Sequence, residues 1–288
     1  MTAPRLLVIQ NADSDPVGRL GDWLSAAGLD LDVHRPYDGE ALPSELSAYA
    51  GLLVLGGGMG ASDDARAPWL PQVRALLRDA VSGELPTLGV CLGGQLLAVA
   101  NGGQVAPNPD GPEFGAQLIA KRAASANDPL FGPLPITPDV IQWHFDAINS
   151  LPPGALQLAS SPGCAVQAFR LGRLAWGIQF HIETTPEIVR GWAATDARAL
   201  EGYDVQRLLS HADGVHDDLA EVWAPFATSF ADVVRDPAAV RASRAVPTST
   251  AEPITDPAAI RAALAAELTA SRGATVAPLP GLRLPGHD

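Results

Sequence analysis

Four strand-length apolar runs, at residues 5–10, 29–34, 51–55 and 85–90, alternate with stretches of helical spacing in the first third of the chain. That alternation limits the possible folds more than any other feature. Residues 17–27 read as a helix stopped by Gly28, and residues 69–81 as a second, stopped by Gly83. The second places Leu70, Val73, Leu76 and Leu77 on one stripe, the spacing of a helix that packs on a core. Strands alternating with helices imply right-handed crossovers and a mostly parallel sheet covered on both faces, an α/β fold. Ligands of such folds gather beyond the carboxyl ends of the strands. Two glycine-rich turns fall there, Gly56-Gly57-Gly58-Met59-Gly60 and Gly89-Val90-Cys91-Leu92-Gly93-Gly94-Gln95.

The second turn carries chemistry. It follows a strand and leads into the apolar run from Gln95 to Ala100, which reads as the start of a helix. A cysteine on a sharp strand-to-helix turn, with glycines around it, has the setting of a nucleophile elbow. The helix N-terminus favours the thiolate, the form that attacks carbonyls. Ninety residues on, the run 174–180 reads as another strand and enters His181-Ile182-Glu183. Side chains two apart on an extended chain point the same way. His181 is therefore placed to face the sulfur, with Glu183 fixing the imidazole: nucleophile, base and orienter.

From about residue 104 to 180 the pattern changes to short runs divided by Pro and Gly, at 116–120, 140–143, 156–160 and 165–169. These predict an antiparallel extension of the sheet. Thr185-Pro186 is a helix start, with threonine as the cap and proline in the first turn. Residues 215–234 predict a helix with Leu219, Val222, Trp223, Phe226 and Phe230 on one face, kinked at Pro225. Beyond Arg235, Asp236-Pro237 and Asp256-Pro257 open two near-repeats, each a plausible helix cap. Ile260, Leu264 and Leu268 could form a stripe on a helix over 257–271, but the Ala/Pro bias predicts a partly disordered tail. The expected organisation is a catalytic domain over 1–195, a helical extension over 196–235 and a tail over 236–288.

A formal net charge of −13 repels phosphate backbones and argues against nucleic-acid partners. No apolar stretch has the length of a membrane span, and no signal peptide is recognisable, so a cytoplasmic protein with two reduced thiols, Cys91 and Cys164, is expected. Cys164 has no nucleophile setting and reads as a packed thiol. His34, His211, His216 and His287 have no partners at ligand spacing, and His144 reads as a structural or positioning residue, so no metal is expected. The glycine run at Gly56 lacks the Lys-Ser/Thr of a phosphate loop, and no cofactor is expected. A binding or regulatory protein on a retired enzyme fold is the alternative of another class; the intact Cys, His and Glu set argues against it.

Gly89, Cys91, Gly93 and Gln95, with His181 and Glu183, resemble the motifs of class I glutamine amidotransferases of the Cys-His-Glu triad type. The resemblance covers roughly residues 5–195. Gly56-Gly57-Gly58, Glu113-Phe114-Gly115, the segment Trp143-His144-Phe145-Asp146 and Gln167-Ala168-Phe169 are weaker matches. The chain looks most like stand-alone members related to the amidotransferase domain of GMP synthase. Ile182 and Gly58 stand where proline is usual, and Phe145 where glycine is common, which implies a narrower pocket. The resemblance implies attack by Cys91 on the γ-carbonyl of glutamine or a γ-glutamyl compound. Backbone N–H groups of Leu92 and Gly57 would hold the oxyanion. His181 would shuttle the proton and Glu183 would orient it. Gln95, Glu113 and Asp146 would hold the amino-acid end of the substrate. Ammonia would pass to a separate synthetase subunit, or the chain would act alone as a γ-glutamyl hydrolase or peptidase.

Overall fold

The computed structural model of the chain describes residues 2–242. The second Asp-Pro repeat and the stripe Ile260, Leu264 and Leu268 lie outside the described residues. In chain order, β1 (Arg5–Ile9), α1 (Gly18–Ala26), β2 (Asp30–His34), β3 (Gly51–Val54), α2 (Leu70–Ser82), β4 (Thr87–Val90) and α3 (Leu92–Ala100) come first. Then follow β5 (Gln104–Pro107), β6 (Glu113–Leu118), β7 (Ala120–Lys121), β8 (Asp139–His144), β9 (Asp146–Ser150) and β10 (Leu156–Ser160). The last are β11 (Ala168–Leu171), β12 (Ala175–Ile178), α4 (Pro186–Thr195), α5 (Val205–Arg235) and α6 (Pro237–Ala242).

Eight strands form the main sheet among the described residues, in the order β2-β1-β3-β4-β12-β11-β10-β7. The first five run parallel to one another, and the pairings of β12 with β11, β11 with β10 and β10 with β7 are antiparallel. The uninterrupted apolar run of β1 explains its central place. Leu6, Leu7, Val8 and Ile9 are all fully buried. Successive side chains alternate faces. Leu6 and Val8 join the core beneath α1 and α5, with Leu20, Leu24 and Trp223. Leu7 and Ile9 join the one beneath α2 and α3, with Val73, Leu77 and Leu96. A strand covered on both faces needs this composition.

The antiparallel region differs from the expectation in three ways. Only β7, β10 and β11 extend the main sheet; β6–β8 and β5–β9 form two separate ribbons. Strands β5 and β9 are half-polar, and β9 starts two residues after β8 ends, so neither stands out in the sequence. The run expected at 165–169 is displaced to Ala168–Leu171, and the ladder between β10 and β11 shifts register between Gln157 and Ala159.

Helix α5 starts at Val205, ten residues before the expected 215, where Asp204 caps it by accepting from the Arg207 N–H at 3.0 Å. Gly214 and the polar residues around it hide this first part. The helix continues through Pro225 and buries Leu219, Trp223, Phe226 and Phe230 in the same core as β1. Thr185 caps α4 through Ile188 N, and Asp236 caps α6 through Ala239 N at 3.2 Å. No helix among the described residues is long and apolar enough to cross a membrane.

Candidate active site

Strands β4 and β12 are adjacent and parallel, and the two halves of the site leave their carboxyl ends side by side. Cys91 lies between β4 and α3 with φ 50° and ψ −109°, a backbone conformation that side chains rarely adopt. Such a residue carries about 1–3 kcal/mol of strain and persists only where its surroundings hold it. Here its N–H donates to Ile178 O at 2.8 Å and its carbonyl accepts from Gln95 N at 3.0 Å. The glycines are dictated by close approach. A Cβ at Gly93 would lie 2.0 Å from Val54 O, and one at Gly89 would lie 2.5 Å from the Gly93 carbonyl. The helix therefore seats directly on β3 and β4, aiming its N-terminus at the sulfur.

His181 follows β12 and is pinned by a backbone bridge to Ile141 of β8, at 2.8 and 3.3 Å. Its Nδ1 lies 2.6 Å from Glu183 Oε1. A carboxylate only accepts, so Nδ1 carries the proton. The other carboxylate oxygen accepts from Ile182 N at 2.9 Å. Nε2 is buried with no hydrogen-bond partner, and His181 and Cys91 line the same cavity. Burial alone would lower the His181 pKa, but the charges of Glu183 and Cys91 outweigh it and hold the imidazole well above its ordinary value. The Trp192 ring packs 4.5 Å from the imidazole.

Two helices clamp this element. Arg19 N of α1 donates to Glu183 O at 2.9 Å, and Gly18, at φ 47°, comes so near that a Cβ would stand 2.1 Å from that oxygen. From α5, His216 reaches Thr184 Oγ1 at 3.2 Å through Nε2, while its Nδ1 bonds Ala212 O at 2.6 Å. Burial lowers the pKa of His216.

The cavity holds about 510 Å³, within the range of small-molecule sites. Gly57 lines it, and Leu92 N opens the first turn of α3, where backbone N–H groups have no partner within the helix. Gln95 and Asp146 line it as well, and Gln95 Nε2 donates to Asp146 O at 3.1 Å and Gln179 Oε1 at 3.2 Å. Phe145 is a half-exposed wall residue, edge-on to Phe114.

Glu113 corrects the expectation, because it does not line the cavity. Its carboxylate is occupied by His144 Nε2 at 2.9 Å, Gln167 Nε2 at 2.8 Å and Ser161 Oγ at 3.1 Å. His144 lines the cavity in front of it and bonds Asp146 O at 2.9 Å through Nδ1. Both ring nitrogens thus face acceptors, and Glu113 braces His144. Glu113, His144 and Cys164 bring three metal-type donor atoms within 4.8 Å of one another. Burial and the nearby Glu113 charge push the Cys164 thiol far up, which disfavours the thiolate a metal would need. Its Sγ instead lies 3.5 Å from Val166 O, as a donor would.

The sequence reading missed Asp15, Trp192 and Asp196, all in the cavity wall. Asp15 follows β1, so the rule that sites lie beyond strand ends was its available signal. Trp192 and Asp196 lie in and just after α4, and nothing in the sequence marks them.

Residues 19–190 match the family described as glutamine amidotransferase class-I. The glutamine amidotransferase-like protein YfeJ of Salmonella typhimurium is 30% identical over 195 residues, 65% of this chain and 79% of its own length. A GMP synthase of Thermomicrobium roseum is 37% identical over 46% of this chain but only 23% of its own length. Gamma-glutamyl peptidase 3 of Arabidopsis thaliana is 30% identical over 56% of this chain and 66% of its own. Among solved structures, a glutamine amidotransferase from Thermotoga maritima superposes with a TM-score of 0.71 at 28% identity, covering 82% of this chain and all of that one. With a family match over residues 19–190 and a relative matched over most of its length, the chain belongs to the class I glutamine amidotransferases.

Proposed function

We propose that the protein hydrolyses the γ-amide of glutamine or of a γ-glutamyl compound through a thioester on Cys91. The observation that carries this reading is the state of His181. Its Nδ1 is tied to Glu183, and its buried Nε2 is left without a partner in the cavity that Cys91 shares. An imidazole set this way takes a proton from a thiol and gives it to a leaving nitrogen.

In the first step Cys91 Sγ adds to the γ-carbon. The oxygen turns its developing charge toward Leu92 N and Gly57 N; losing one such donor typically costs about 3–4 kcal/mol of barrier. His181 protonates the departing nitrogen, then activates water against the thioester. Glu183 keeps the ring aligned and its charged form stable. Gln95 and Asp146 hold the amino-acid end, and Glu113 acts through His144.

The groups needed for formation and breakdown of the thioester lie within residues 57–183, which favours hydrolysis by the chain alone. Transfer of ammonia to an acceptor would use a separate synthetase. The two thiols are unpaired, which fits a reducing compartment such as the cytoplasm. Release of glutamate by the purified protein from glutamine and from γ-glutamyl dipeptides tests the reading. We expect turnover that disappears in Cys91→Ala. Negligible turnover of every substrate, with normal alkylation of Cys91 by a glutamine-like electrophile, would contradict independent hydrolysis and favour a subunit awaiting its partner.

A further inference from the structure

Acidic residues stand at both ends of the cavity. Near the glycine loop, Asp146 lies within electrostatic range of Asp63, which helps raise its pKa after burial does. Beside His181, Asp15 and Asp196 form a second pair in the wall. Asp15 is 6% exposed. Its Oδ1 and His181 Cε1 both lie within about 3 Å of the point where a Cβ of Gly56 would stand, at 2.6 and 3.2 Å. Asp196 accepts from Trp143 Nε1 at 2.8 Å, and Trp192 donates its own N–H to Ser14 O at 2.9 Å. The two indoles, 5.9 Å apart, complete this wall.

The chemistry fixes what this wall faces. His181 delivers its proton through Nε2, so the leaving nitrogen must come to that atom. Nε2 is buried on the Cys91 side of the ring, so an incoming nitrogen reaches it beside the sulfur. Whatever the nitrogen carries then extends past Asp15, Asp196, Trp143 and Trp192. Burial raises the Asp15 pKa; His181 opposes this, and Glu183 and Asp196 add to it. The guanidinium that lines the cavity, Arg66, sits at the glycine loop, 3.4 Å from Gly58 O, and not in this wall. Two carboxylates and two indoles are what a buried ammonium group meets best, by ion pairing and by cation–π attraction.

We propose that the wall formed by Asp15, Asp196, Trp143 and Trp192 binds the cationic end of an amine leaving group, so that γ-glutamyl amides of diamines are the preferred substrates. The inference rests on the γ-glutamyl hydrolysis proposed above and adds the class of amine. Such a substrate is zwitterionic at its amino-acid end and cationic at the other, with its α-ammonium toward Asp146 and its distal ammonium toward Asp15 and Asp196. The scissile amide between them comes to Cys91. The sulfur–carbon bond forms and the carbon–nitrogen bond breaks. The nitrogen takes the His181 proton and leaves as the diamine, whose distal ammonium keeps its charge throughout. Water then adds to the thioester carbon and gives a proton to His181; the carbon–sulfur bond breaks, the Cys91 thiolate is restored and glutamate departs.

The test compares γ-glutamyl-diaminobutane, the neutral isostere γ-glutamyl-pentylamide, γ-glutamylglycine and glutamine in kcat/KM. The diamine amide is expected to exceed the pentylamide by about tenfold or more, mainly through KM, a difference one charged contact can supply. γ-Glutamylglycine, anionic at the leaving end, is expected below both. Asp196→Asn and Asp15→Asn should each shrink the ratio of diamine to pentylamide, and salt should shrink it in the unaltered protein. Equal rates for diamine amide and pentylamide overturn the inference and leave the hydrolase reading standing. Binding separates the opposite case. In Cys91→Ala, calorimetry should show the diamine amide bound about tenfold more tightly than the pentylamide, whether or not the unaltered protein turns either over. Equal affinities there overturn the inference independently of catalysis.

Discussion

In the parallel half of the sheet, β1, β3 and β4 bury Leu6, Leu7, Val8, Leu52, Leu53 and Leu88, with little between them but hydrocarbon. In the antiparallel half the interior is charged. Asp128 and Arg170 meet at 2.9 Å with both side chains wholly buried. Trp176 Nε1 donates to Asp128 as well, at 3.2 Å, as do the Leu130 and Phe131 N–H groups. Glu113, His144, Ser161 and Gln167 form a second buried network. Apolar burial is non-directional and tolerates changes of shape, whereas hydrogen-bonded charge fixes orientation and is intolerant of a missing partner. The active site lies on the seam. Cys91 comes from the apolar half, placed by close backbone packing. His181, Glu183 and His144 come from the polar half, placed by hydrogen bonds.

The largest effect should fall on the seam itself. Cys91→Ala should lower kcat/KM by on the order of 10⁴-fold or more, and His181→Ala nearly as much, because residues acting as a unit fail together. Cys164→Ala, in the wall of the polar network, should keep most of the activity. Steady-state kinetics on the three proteins decide this.

Isosteric substitutions sharpen the contrast between the halves. Asp128→Asn removes the carboxylate charge that meets the buried Arg170 at 2.9 Å and should cost about 3–5 kcal/mol in denaturant unfolding. Leu53→Ile should cost less than about 1.5 kcal/mol, because volume is conserved. Similar losses for the two would remove the distinction.

A smaller effect concerns pH. Glu183→Gln removes a charge that raises the His181 pKa, so the alkaline limb of kcat/KM should move to lower pH. The sign for stability follows from the raised folded-state pKa. The contribution of charged His181 is complete below about pH 6.5, the value for an unfolded chain, and is lost as pH rises through the folded value. The stability difference between the unaltered protein and Glu183→Gln should therefore shrink as pH is raised above about 6.5. A difference independent of pH would contradict the assigned pairing.

The smallest effect should come from deleting residues 237–288. Among the described residues this removes α6, including the half-exposed pair of Arg241 and Glu84 at 3.1 Å. Surface pairs contribute about 0–1 kcal/mol, so folding and turnover of a simple γ-glutamyl amide should persist. A large drop in Tm would show that this segment belongs to the core.

What could be read from the sequence follows the same division. The run Leu6 to Ile9 announces a doubly covered strand, and the spacing of Gly89, Cys91 and Gly93 announces the elbow, because both signals are local. His181 and Glu183 were legible because they are two residues apart. Glu113 was not, since a lone carboxylate gives no sign of which side chains will enclose it; folding turned it toward His144 and Gln167. Asp15, Trp192 and Asp196 come from a loop, a helix and that helix's end, and only the tertiary fold joins them. The first ten residues of α5 escaped because their polar character resembles a loop, yet His216 of that helix supports the segment after Glu183.

The central claim is that a γ-glutamyl group passes through Cys91. Mixing the protein with a γ-glutamyl amide, quenching in acid during turnover and mapping peptides by mass spectrometry tests it directly. The account predicts a mass gain of one γ-glutamyl group on the peptide containing Cys91, none on that containing Cys164, and more of it in Glu183→Gln if breakdown slows more than formation. Steady turnover with Cys91 unmodified at every quench time, and retained by Cys91→Ala, would contradict it.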